Sequence, residues 1–141
     1  MQQPVQAMQR VRTEPDPFEP FALSQAITVG DWFFVSGQAA MDAQGAVVGA
    51  GDFLRQAECA FANLEQVLKA GGSSLDDVVK VTLLLTDMRH FPEVVALRRR
   101  FFRPPYPADS IVEVSALALP ELMFEIEAIA VRGAGAGKAT G

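Results

Sequence analysis

The sequence predicts an α+β domain in which a mixed sheet is covered on one face by two helices. Three observations point there. Apolar residues between Asp52 and Ala70 recur at helical spacing, whereas Trp32 to Val35, Val78 to Leu85 and Leu122 to Val131 are short β-branched, aromatic or leucine-rich runs. The elements follow one another as strand, strand, short strand, helix, strand, helix, strand, strand, a pattern that mixes sheet and helix without strict βα alternation.

Residues 1–20 carry Pro4, Pro15, Pro17 and Pro20 among polar residues and are expected to form an irregular N-terminal arm. Residues 21–132 then make a single domain. Ser24 to Val29 leads to a turn at Gly30-Asp31, and Trp32-Phe33-Phe34-Val35 gives the second strand. Met41 to Val48 holds Asp42, Gln44 and Gly45, which suggests a turn followed by a short strand. In the first helix Phe53, Ala57, Ala60, Phe61, Leu64, Val67 and Leu68 share a face, and Gly71-Gly72 stops it. A second helix is expected from Phe91 to Phe102, with Pro92 tolerated in its first turn. Pro104-Pro105-Tyr106-Pro107 must be extended, delivering the chain to strands at Ser110 to Leu117 and Leu122 to Val131. In the last strand Phe124, Ile126, Ala128 and Ala130 share one face, and Glu125, Glu127, Ile129 and Val131 the other. Residues 133–141, made of Gly, Ala, Lys and Thr, are expected to be a disordered tail. With only two helices, the second face of so apolar a sheet calls for a partner copy.

Composition narrows the function. The formal charge of −5 disfavours a nucleic-acid binder, since phosphate binding needs clustered Lys and Arg. The one basic run, Arg98-Arg99-Arg100 with Arg103, reads as a solvated helix face, with an anion or partner contact as the other reading. A single cysteine, Cys59, on a helix and with no His beside it, reads as a buried small hydrophobe. His90, the only histidine, reads as an exposed loop residue, because one imidazole makes neither a metal site nor a triad. Neither a secretory leader nor a membrane span is evident, so cytoplasmic residence is expected.

Several segments, in order and at matching spacing, resemble the YjgF/RidA family, named endoribonuclease L-PSP in older usage. They are Ser24-Gln25-Ala26, Val35-Ser36-Gly37-Gln38, Asn63-Leu64, Leu75-Asp76-Asp77-Val78-Val79-Lys80, Leu85-Thr86-Asp87-Met88, Val112-Glu113-Val114 and Glu125-Ile126-Glu127-Ala128-Ile129-Ala130. The resemblance covers roughly Ala22 to Arg132. It implies a chorismate-mutase-like fold with a six-stranded sheet, a homotrimer around a central barrel, and small-molecule clefts between subunits. It also implies hydrolysis of reactive enamines or imines to a ketoacid and ammonia, with neither a metal nor an organic cofactor.

Within that resemblance the chain departs where the chemistry lies. Active relatives hold the substrate carboxylate with an arginine just before a Ser-x-Val-Glu-Val strand; here Pro107-Ala108-Asp109-Ser110-Ile111-Val112-Glu113-Val114 places Asp109 there. Two like charges about 4 Å apart interact by about 4 kcal/mol at an effective dielectric of about 20, so standard 2-iminoacids are expected to bind poorly. A family tyrosine corresponds to Leu23, a cysteine to Ile111 and an asparagine to Val95, which makes the cleft more apolar. Glu125 matches the carboxylate that positions the hydrolytic water, and Ser36 and Gly37 match the cleft wall.

Glu125 can instead be a sheet carboxylate satisfied by backbone donors, and Asp109 a turn cap. Should both face the cleft, they would share a proton as a general acid/base pair. Arg89 and Arg103 are left as groups able to relocate the anion site, and Trp32 reads as core or subunit packing. Three functions compete: a deaminase-like hydrolase lacking the carboxylate clamp, a non-catalytic trimer binding a metabolite or partner, and a ribonuclease, which fits the acidic composition badly.

Overall fold

The protein is described from a computed structural model covering residues 4–138. Its strands are Gln9–Val11 (β1), Ala26–Val29 (β2), Trp32–Ala39 (β3), Val78–Leu85 (β4), Ala108–Glu113 (β5) and Phe124–Val131 (β6); its α-helices are Phe53–Ala70 (α1) and Phe91–Phe101 (α2). They form one six-stranded mixed sheet in the order β1-β2-β3-β6-β4-β5. Every neighbouring pair is antiparallel except β4–β5, whose parallel pairing requires a crossover, which α2 supplies.

The helical stripe of α1 folds as its spacing demands. Ala57, Ala60, Leu64 and Leu68 are fully buried against Phe33, Leu83, Leu85 and Ile126 of the sheet, each large side chain contributing about 1.5–3 kcal/mol. The Asp52 carboxylate accepts the Arg55 N–H at 3.1 Å and caps the N-terminus. At the other end Gly71 lies so close to the sheet that a Cβ there would stand 2.4 Å from the Phe33 ring. From α2, Val94 and Leu97 join the same core. The sheet's two faces separate by strand alternation: Val81, Leu83 and Leu85 point to the helices, and Lys80, Thr82 and Leu84 point away.

That second face carries Trp32 and Phe34, both about half exposed, beside Ile129 and Val131. Trp32 is therefore not part of the protomer core.

Four expectations change. The sixth strand is β1, drawn from the arm, because the buried Gln25 amide donates to Thr13 Oγ1 at 3.0 Å and accepts the Thr13 N–H at 2.6 Å, which draws the arm onto β2. The segment 41–48 forms only an isolated bridge between Met41 and Val47, since the Asp42 carboxylate accepts the Gln44 and Ala46 N–H groups and curls the chain. Strand β5 starts two residues early, with Ala108 paired to Lys80, and ends at Glu113. The tail is ordered as far as it is described: Ala134–Gly137 forms a 3-10 turn, and the buried Asp77 carboxylate accepts the Gly135 N–H at 2.8 Å and the Ser73 hydroxyl at 2.7 Å. Burial pushes Asp77 up, but these donors outweigh it and hold the carboxyl below its usual range. Residues 139–141 lie outside the described residues.

Candidate functional site

The residues singled out from the sequence divide between two clefts. One, of about 550 Å³, lies where β3 and β6 meet the arm and is lined by Phe21, Leu23, Gly37, Leu119, Leu122 and Glu125. The other, of about 460 Å³, lies between α2 and β5 and holds Val95, Arg98, Tyr106, Asp109 and Ile111. Ser36 lines neither: its hydroxyl donates to the Ser24 carbonyl at 2.6 Å and its N–H to Gln25 O at 2.9 Å, tying β3 to the lead into β2.

Glu125 is placed by two features. The first is a bulge in β3, where the register with β6 slips by one residue between Val35 and Gln38 and brings Gly37 under the Glu125 side chain. A Cβ at Gly37 would lie 2.7 Å from the Glu125 carboxyl carbon, so only glycine leaves that carboxyl its place. The second is Gln56 of α1, fully buried, whose amide donates to Glu121 O at 2.8 Å and Gly49 O at 3.2 Å and accepts the Met123 N–H at 2.8 Å. It anchors the chain entering β6 to the helix.

Burial, and then the nearby Glu127 charge, raise the Glu125 carboxyl above its ordinary value. Among the described residues it has no hydrogen-bond donor, so the alternative of a sheet carboxylate satisfied by backbone groups is not what forms.

Asp109 behaves otherwise. It lies inside β5 rather than in a turn, and its two oxygens accept from Arg98 Nε and Nη2 at 2.8 Å each, a bidentate pair with both side chains largely buried. The expected repulsive charge is thus neutralised from within, and the expectation of a turn cap is corrected. Within one protomer Asp109 and Glu125 do not meet: Asp109 pairs in register with Val81 on the helix side, while Glu125 lies opposite Leu84 on the other side.

The basic run was not a uniformly solvated face. Arg98 enters the cleft, Arg100 pairs with Glu58 of α1 at 3.0 Å, and Arg99 stands exposed at the cleft rim. The signal was present in helical phase: Phe91, Val95, Arg98 and Phe102 follow one another by four, three and four residues and fall on one stripe. Arg89 and Arg103 relocate nothing into either cleft. Arg89 is bound to Asp87, which it holds down to about 2, and Arg103 is bound to Asp76, whose carboxyl it lowers.

His90 is not a free loop residue. Its ring stacks on Phe53 at 4.0 Å, and Nδ1 lies 3.0 Å from the Glu93 carboxylate. Cys59 is half-buried, and burial pushes its thiol up, away from reactivity. Among the described residues no group of three His, Cys, Asp or Glu is placed to hold a metal ion, and no helix is long and apolar enough to cross a membrane.

Comparison with known proteins agrees with this architecture. The family model described as endoribonuclease L-PSP matches residues 11–132. A RutC family protein of Pyrococcus abyssi is 37% identical over 118 residues, covering 84% of this chain and 91% of its own. A 2-iminobutanoate/2-iminopropanoate deaminase of Dermatophagoides farinae is 35% identical over 117 residues, covering 83% and 89%. The crystal structure of a Thermotoga maritima protein titled a putative endoribonuclease superposes with a TM-score of 0.80 at 41% identity, covering 88% of this chain and 97% of that one. With both helices, strands β2 to β6 and the site carboxylate all falling inside the matched stretch, this chain belongs to the endoribonuclease L-PSP, or YjgF/RidA, family.

Proposed function

We propose that the protein is a hydrolase of reactive imines or enamines, divergent in substrate from its 2-iminoacid deaminase relatives. The observation that carries this is Glu125: a carboxyl raised by burial, free of donors among the described residues, and held over Gly37 in an apolar cleft. A carboxyl nearer neutrality is suited to accept a proton from water as it adds to the C=N carbon and to return it to nitrogen as ammonia leaves. The balance is imine plus water giving carbonyl compound plus ammonia, with no cofactor and no metal.

The site is completed by assembly. Each protomer presents two half-clefts on opposite sides of its sheet and an apolar second face around Trp32, Phe34 and Ile129. A homotrimer that buries this face joins the Glu125 half-cleft of one subunit to the Asp109 half-cleft of the next. The ligand is a small molecule, and neither nucleic acid nor membrane is a partner; the net charge of −5 supports the first exclusion. We place the protein in the cytoplasm.

The test generates imines in situ with an amine or amino-acid oxidase and traps the unhydrolysed fraction with semicarbazide. An uncharged apolar ketimine is expected to be hydrolysed faster with the protein than without, 2-iminobutanoate at close to the uncatalysed rate, and Glu125→Gln should abolish the acceleration. Efficient 2-iminobutanoate turnover would refute the divergence; no acceleration of either imine would leave a binding protein only. Sedimentation then reads the assembly state.

A further inference from the structure

The pair on the wall between α2 and β5 has the geometry of a ligand already in place. Arg98 presents Nε and Nη2 to two oxygens of Asp109 at 2.8 Å each, the planar fork-on-carboxylate arrangement with which arginine grips carboxylate ligands. Arg98 Cζ also lies 5.8 Å from the centre of the Phe91 ring, which sets the guanidinium beside the apolar wall. The remaining wall offers Val95, Phe102, Tyr106 and Ile111.

Granting that this cleft receives the ligand, as proposed above, we propose that Asp109 closes the Arg98 fork from within, so that the cleft selects uncharged apolar ligands over carboxylates, and that Arg98 becomes a carboxylate site once Asp109 is removed. A tethered carboxylate competes at an effective concentration on the order of millimolar or more, so a free one displaces it only at a loss. Arg99 does not substitute, because it stands in water at the rim, where a single ion pair contributes little. Val95, Ile111 and the aromatic rings then set specificity by burying an aryl or branched alkyl group.

A matched pair of ligands tests this with the full-length protein: 4-phenyl-2-butanone and 2-oxo-4-phenylbutanoate, which differ in a methyl against a carboxylate. Dissociation constants are measured by calorimetric or NMR titration. Wild type is expected to favour the ketone by about tenfold or more, and Asp109→Ala to reverse this preference through a comparable gain for the oxoacid. Asp109→Asn, which keeps the shape and one acceptor, should shift the preference the same way by less, and serves if the alanine variant misfolds. The proposal is overturned if wild type binds the oxoacid as tightly as the ketone, if it binds neither, or if both Asp109 variants keep the wild-type preference. Since only binding is read, a chain without hydrolase activity can still pass and an active one can still fail.

Discussion

The α2–β5 cleft and the β3–β6 cleft each hold one carboxylate, and the fold treats the two in opposite ways. Asp109 is given a guanidinium at 2.8 Å on each oxygen and so is satisfied. Glu125 is given burial, a like charge in Glu127 and, among the described residues, no donor, so its protonated form gains. A satisfied carboxylate shapes a wall; an unsatisfied one held above its ordinary range is available for proton transfer. The contrast separates specificity from chemistry, and it can be attacked from both sides.

The largest effect is expected at Gly37. In Gly37→Ala the new methyl would meet the end of the Glu125 side chain at 2.7 Å, and that flexible end swings aside rather than the backbone. Hydrolysis should fall by about 100-fold, while Tm moves by no more than about 5 °C; equal loss of fold and activity would show that Gly37 serves the bulge alone. Next comes Arg98→Leu, which leaves the largely buried Asp109 without its partner and should cost about 2 kcal/mol in denaturant unfolding. The double change Arg98→Leu with Asp109→Leu should recover most of it, because the penalty lies in the orphaned charge.

A smaller effect concerns pH. Glu125 has a raised folded value, so the native state binds more protons than the unfolded one between the ordinary carboxylate range and that raised value. Its contribution is fully favourable below the ordinary range and is lost as pH rises through the folded value. Glu125→Gln should therefore raise Tm at neutral pH by about 1–3 °C while removing activity, and the gain should vanish in acid. Asp87 and Asp77 are shifted the other way, and the stability they supply is lost as pH falls through their depressed values. The smallest effect is Arg89→Ala: its pair with Asp87 is exposed, so neither Tm nor ligand affinity should change measurably.

Local patterns were legible where a single element decides them. The α1 stripe, the limits of β4 and the two faces of β6 follow from spacing alone. What depended on distant partners was not. Strand β1 has three residues and exists because Gln25 and β2 await it, and no alternation can be seen in so short a piece. For the site, Glu125 and Gly37 both belong to one cleft wall in sequence and in structure, but the Arg98 partner of Asp109 is not visible in the sequence pattern. Its charge partner sits eleven residues earlier on a helix, inside a basic run whose members look alike until the phase of α2 distinguishes them.

The clasp between Asp77 and the 3-10 turn at Ala134–Gly137 has a consequence for ancestry. The family match ends at Arg132, yet the folded body continues past it, because the Asp77 carboxylate, within the matched stretch, draws two of its three backbone donors from Gly133 and Gly135 beyond it. The limit of the family match and the limit of what holds its shape are different borders in this molecule, and trimming the chain to the first would strip a buried anion of two of its hosts.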